Sequence, residues 1–242
     1  PHVTSKERFI LADWIGDVCR TDECCSRDTI HLAVNLMDRV FEKRPTKVSE
    51  ADLLSKACLL VASKYHDIDA FTPSHLVNST NIGGISKLLE YEVQVLEILD
   101  YHLNAVTATQ FSSFFTKFAK DSRLHILMDF FSDVSLLGEE FLRYDPSTVA
   151  RACTLLASSL SFKTEDHLLA FIADSSEMMN EVIECAAEIF HRIFELRVTQ
   201  NTPVGVGSYR ATSLKAIPKI YERELMGLIF RLESQRYLPV DG

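Results

Sequence analysis

Apolar residues recur along this chain at intervals of three and four, the spacing of one face of a helix. In the first such run Phe9, Ile10, Leu11, Trp14, Ile15 and Val18 follow a capping Ser5, which predicts a helix through about Arg20. A second helix is predicted from Arg27 to Lys43, stopping ahead of Pro45 because the residue before a proline is pushed out of the helical region. Ser49 followed by Asp52 is a capping-box variant and opens a third helix, from Glu50 to His66. Thr72-Pro73 starts a short fourth helix, with proline at the first helical position. Ser86 opens a fifth that reaches His102, and Gly83-Gly84 reads as the turn before it.

The plan then begins again. Thr107 with Gln110 is a second capping box, followed by predicted helices at 111–118 and 124–142. Others are expected after Asp145-Pro146, after Thr164 and at 177–197. Ala57-Cys58-Leu59-Leu60-Val61-Ala62-Ser63 reappears 95 residues later as Ala152-Cys153-Thr154-Leu155-Leu156-Ala157-Ser158. The same offset pairs Leu88, Val95, Ile98 and Leu99 with Ile183, Phe190, Ile193 and Phe194. The expected architecture is therefore all-α: two tandem five-helix repeats, at 1–104 and 105–198, and a C-terminal segment at 199–242. That segment holds a connector with Pro203, Gly205 and Gly207, then an amphipathic stretch, Lys219 to Tyr237, with Leu225, Ile229 and Leu232 on one stripe.

Composition narrows the function classes. Only 8 Gly and 7 Pro in 242 residues leave few of the turns that a sandwich or barrel requires. With 25 basic against 34 acidic residues the net charge is −9, which opposes a surface built to meet phosphates. No apolar stretch approaches the ~18 residues of a membrane span, and the N-terminus lacks a signal-peptide pattern, so an intracellular protein is expected. The six cysteines include no Cys-x-x-Cys pair; they read as reduced, packed thiols, with Cys19, Cys24 and Cys25 as the weak metal candidate. There is no Gly-x-x-x-x-Gly-Lys loop, no His-Glu-x-x-His and no Gly-x-Ser-x-Gly, and Gly205-Val-Gly207 lacks the next glycine of a nucleotide fingerprint. The eight histidines show no ligand spacing, and His31 reads as a packed or capping residue. Neither catalysis nor a cofactor or metal is expected.

The informative residues are charges on apolar stripes. Glu92 interrupts Ile85, Leu88, Val95, Leu96, Leu99 and Leu103; Lys64 interrupts Ala57, Leu60, Val61 and Ile68. Asp38 sits among Ile30, Val34 and Phe41, and Arg8 precedes Leu11, Ile15 and Val18. A buried charge requires a partner, and internal salt bridges would satisfy all four. The repeat discriminates among them. Lys64 has Ser159 at its counterpart and Glu92 has Ala187, so a fold shared by both repeats does not need those two charges. They are expected to serve contact with another protein. Asp38 has Asp133 at its counterpart, which suits a structural role.

These residues resemble the motifs of the cyclin box, a five-helix unit that occurs twice in cyclins. Arg8-Phe9-Ile10-Leu11-Ala12-Asp13-Trp14 is similar to the family's first motif, followed in order by His31-Leu32-Ala33-Val34-Asn35 with Asp38-Arg39, Leu60-Val61-Ala62-Ser63-Lys64-Tyr65, and Tyr91-Glu92 ahead of Val95-Leu96 and Leu99. The first box is closest to A- and B-type cyclins, and Leu214 to Tyr221 is similar to the end of those chains. The resemblance implies a non-catalytic activating subunit of a cyclin-dependent kinase. It places Lys64 and Glu92 on the charges that grip the kinase, with Tyr65, Leu96, Tyr101 and Leu103 beside them. It makes Arg8 and Asp38 the buried structural pair. It also implies a docking groove for substrate or inhibitor peptides around Ile10, Leu11, Trp14, Asp17 and Asp52. Glu7, Ala51 and Asp52 depart from the family's methionine, leucine and glutamine, which predicts a more acidic, less apolar groove. Tandem-box transcription factors and cyclin-like adaptors are the rival classes; the net charge opposes the first, and the presence of both Lys64 and Glu92 opposes the second.

Overall fold

The computed structural model describes residues 2–21, 25–77, 82–117, 122–160 and 176–199, and among them it is helical with no β-strand. The first half contains α1 (Ser5–Thr21), α2 (Arg27–Lys43), α3 (Val48–His66), α4 (Pro73–Leu76) and α5 (Ile82–Ile98). The second contains α6 (Ala108–Thr116), α7 (Ser122–Leu137), a 3-10 turn (Glu139–Arg143), α8 (Pro146–Leu160) and α9 (Ser176–Thr199). The helix expected after Thr164, the connector beyond Thr199, the stretch 219–237 and Cys24 lie outside the described residues.

The repeated heptapeptide is the central helix of each half. Residues 57–63 on α3 are all buried, and α3 packs between α2 and α5. Residues 152–154, 157 and 158 on α8 are buried likewise, against α6, α7 and α9. Small residues at Ala57, Ala62, Ala152 and Ala157 let neighbouring helices approach closely, while each buried leucine contributes about 1.5–3 kcal/mol.

Several helix ends differ from the sequence expectation. Thr4, not Ser5, caps α1: its backbone N–H and hydroxyl both bond Glu7, and its carbonyl accepts from Arg8 at 2.9 Å. The Ser49/Asp52 box does not form; α3 begins two residues earlier without a side-chain cap, and Asp52 instead accepts from Lys56. Thr107 bonds Thr109 rather than a helix amide. Gly83 and Gly84 lie in the first turn of α5, not ahead of it. The helix expected over 124–142 stops at Leu137 and resumes as the 3-10 turn past Gly138.

At its other end α5 stops at Ile98, short of the expected His102. Asp100 and Tyr101 take φ of 51° and 59°, so the chain turns left-handed there. The Tyr101 N–H reaches the Leu96 carbonyl at 2.8 Å and that of Asp100 reaches Glu97 at 3.1 Å, a Schellman closure. Arg39 on α2 fixes this turn by donating to the His102 carbonyl at 2.6 Å.

Among the described cysteines Cys19, Cys58, Cys153 and Cys185 are buried, Cys25 is half-buried, and all five are free thiols. Burial pushes the Cys58 and Cys153 thiols far up, so both are inert at neutral pH. His31 is buried, with Nε2 3.4 Å from the Ser132 hydroxyl. No group of three or more metal-ligating side chains gathers among the described residues. No helix among them is long and apolar enough to cross a membrane.

Candidate functional site

The four singled-out charges form two ion pairs of different character. Arg8 on α1 and Asp38 on α2 make a two-pronged contact, Nε to Oδ1 at 2.7 Å and Nη2 to Oδ2 at 2.8 Å. Their side chains are only 8% and 13% exposed, and the remaining Arg8 nitrogen donates to the Leu136 carbonyl at 3.1 Å. Burial pushes the Asp38 carboxyl above its usual range, against the pull of the guanidinium. Every group of this pair is engaged inside the molecule.

Lys64 lies in the last turn of α3 and Glu92 midway along α5, with Nζ 2.6 Å from Oε1. The lysine side chain is 46% exposed and the glutamate 14%, so the carboxylate forms a floor and the ammonium opens outward. An ammonium carries three donors and a carboxylate two acceptor oxygens, so the pair can also bind a foreign backbone.

The apolar residues expected beside this pair differ in exposure. Tyr65 and the left-handed Tyr101 are exposed, while Leu96 and Leu103 are half-buried against the core. Sequence reasoning missed three more. Ile68, expected on the core stripe of α3, is wholly exposed, because α3 ends at His66. Asp67 then accepts from the Ser26 N–H and the Thr29 hydroxyl, which holds the following residue away from the core. Leu89 and Val93 are exposed as well. With Leu96 they form a second stripe on α5, beside the buried Leu88, Tyr91, Val95 and Leu99. The readable signal was a helix with more apolar width than one core needs.

The residues expected to line a docking groove differ in burial. Leu11 and Ala51 are buried, whereas Ile10, Trp14 and Asp17 are half-buried. Lys56 Nζ lies 5.5 Å from the Trp14 ring centroid, a cation over the aromatic face. The same ammonium is 2.9 Å from the Asp52 carboxylate, and Glu7 is turned back onto Thr4. The two carboxylates expected to acidify the groove are both bonded within the chain.

The family model for the N-terminal domain of cyclins matches residues 1–104, and that for the C-terminal domain matches 106–205. Cyclin-A1-1 of Oryza sativa subsp. japonica is 28% identical over 224 residues, covering 90% of this chain and 44% of that protein. The G2/mitotic-specific cyclin-B of Dictyostelium discoideum is 27% identical over 193 residues, covering 78% of this chain and 44% of its own length. The chain thus spans less than half the length of these relatives. A viral cyclin from herpesvirus saimiri superposes with a TM-score of 0.65 at 19% identity, over 80% of this chain and 90% of that one. A chain of the yeast RNA Pol II CTD kinase CTDK-1 complex does so at 0.60 and 16%, over 89% of this chain and 76% of its own. At such identities the structural likeness speaks for the fold. With both domain models matched in order and A- and B-type relatives along most of its length, this chain belongs to the cyclin family.

Proposed function

We propose that this cyclin is the activating, non-catalytic regulatory subunit of a cyclin-dependent Ser/Thr protein kinase, working inside the cell in nucleus or cytoplasm. The observation that carries the reading is the half-exposed Lys64–Glu92 pair, joining two helices that also carry the exposed Tyr65, Leu89 and Val93. The counterparts in the other repeat, Ser159 and Ala187, lack both charges, so the pair is not a requirement of the fold. In this reading residues 1–104 carry the kinase-facing box, 105–198 the second box, and 199–242 a connector and helix.

The mechanism belongs to the partner. A protein kinase is active when the glutamate of its αC helix pairs with a strand lysine, and αC position controls that pairing. Lys64 would hold carbonyls at the end of αC and Glu92 would accept N–H groups, with the apolar rim excluding water. A surface that binds only the inward αC shifts the kinase toward activity by its difference in affinity for the two states. Docking peptides for the groove around Trp14 are a subsidiary part of the proposal.

The test is the charge-exchanged variant Lys64→Glu with Glu92→Lys, assayed by kinase activation and by circular dichroism. The exchanged pair can re-form within the chain, so helicity is expected to stay unchanged. Binding is expected to weaken by about 30-fold or more, the effect of mispairing interfacial charges at about 2 kcal/mol or above. Undiminished activation by the exchanged variant would overturn the assignment.

A further inference from the structure

The 95-residue offset sets Asp133 opposite Asp38, but it sets the apolar Leu103 opposite Arg8. The second box therefore keeps the carboxylate of the structural pair and lacks the arginine that answers it in the first. Asp133 is nevertheless inside, with its side chain 8% exposed. Its cation comes from the other box: Arg27, in the first turn of α2, places Nη1 2.7 Å from the Asp133 carboxylate. The same nitrogen donates to the Asp129 carbonyl at 3.0 Å, and Nη2 lies 3.5 Å from the Asp129 carboxylate.

Two further contacts run the same way. Asp28, next to Arg27, accepts from the Thr109 hydroxyl on α6 at 2.6 Å. Arg8 donates to the Leu136 carbonyl in the last turn of α7, where helical carbonyls lack partners of their own. Side chains from α1 and α2 thus reach α6 and α7 at these three points, and His31 adds another at Ser132.

We infer that Arg27 is an inter-box latch: the first box supplies the cation that the second box's buried carboxylate needs, so α6 and α7 keep their place only while docked on α2. This goes beyond the kinase-binding reading and does not depend on it. The dependence runs one way. Without Arg27 the Asp133 carboxylate loses the guanidinium at 2.7 Å and stays buried, whereas Arg27 at 32% exposure can turn to water.

Hydrogen-exchange mass spectrometry on the full chain tests this, comparing the parent, Arg27→Met and the double variant Arg27→Met with Asp133→Leu. The single variant is expected to accelerate exchange in α6 and α7 by about tenfold or more and leave α3 and α5 at parental rates, because sub-global opening is confined to the unit that loses its anchor. The double variant is expected to restore α6 and α7, since replacing both members of a buried pair by apolar side chains is often neutral. Parental rates throughout in Arg27→Met, or equal acceleration in α3, α5, α6 and α7, would overturn the latch. If Arg27→Met does not fold, the double variant decides: a folded chain supports the latch and an unfolded one rejects it.

Discussion

Arg8–Asp38 and Lys64–Glu92 begin alike and end differently. Each joins two helices of the first box, and each closes to nearly the same distance, 2.7 and 2.6 Å. The contrast lies in what is left over. Arg8 has its Nε, Nη1 and Nη2 all committed to acceptors inside the molecule, while Lys64 sits in the final turn of its helix with its ammonium half in water. A charge on an apolar stripe therefore carries two meanings, and the exposure of the cation separates them. The repeat separates them too, because it preserves the carboxylate of the inner pair and neither charge of the outer one.

The sharpest way to break the comparison is to remove one cation from each pair. Arg8→Met leaves Asp38 buried without its partner and frees the Leu136 carbonyl, so a loss of about 3–5 kcal/mol is expected in urea unfolding. Lys64→Met, at a half-exposed site, is expected to cost no more than about 1 kcal/mol. Equal losses would mean that the two pairs do the same work and that the outer one is not held in readiness for a partner.

A third pair inverts the outer arrangement. In Lys56–Asp52 the ammonium is the covered member, at 15%, and the carboxylate is 36% exposed. The lysine is covered because it lies across Trp14, the one tryptophan of the chain. Lys56→Ala is expected to lower stability by about 0.5–1 kcal/mol and to raise quenching of tryptophan fluorescence by acrylamide. Unchanged quenching would show that Lys56 does not shield Trp14, and the more acidic, less apolar groove expected from the sequence would stand again.

Much of this was legible beforehand. The repeat set the same heptapeptide on α3 and α8, and both are central helices because burial on all sides demands the same small and aliphatic residues twice. Helix ends were less legible. Thr4 and Ser5 are equally good caps by residue type, and only the reach of Glu7 decides between them. The end of α5 depends on a left-handed turn at Asp100 and Tyr101 that no glycine announces, held by Arg39 from another helix. The outer rim was half legible. Ile68 fits the stripe of α3, and its exposure follows from Asp67 being bonded to the start of α2, a tertiary contact that periodicity does not carry. The pairing of Arg27 with Asp133 was hidden for the same reason, since the offset points to Leu103.

The contrast between inside and rim extends to the acids, at the smallest scale. Asp38 is raised by burial, whereas the half-buried Glu7 is lowered chiefly by its hydrogen bonds from Thr4. The linkage signs are opposite. A carboxyl depressed in the folded state lends stability above its unfolded value, and that stability fades as pH falls through the folded value. A carboxyl raised in the folded state favours folding below its unfolded value, and that advantage is lost as pH climbs through the folded one. Acidification should therefore loosen the α1 cap while Asp38 favours the folded form by taking up its proton. Carbon-detected NMR titration is expected to put the Glu7 midpoint below the usual glutamate range and the Asp38 midpoint above the usual aspartate range. Amide exchange at Arg8 should rise as Glu7 protonates. In Glu7→Gln, whose amide oxygen still accepts from Thr4, that exchange should lose its acid dependence. A Glu7 midpoint at or above the usual glutamate range would remove the cap from α1 and return that role to Ser5.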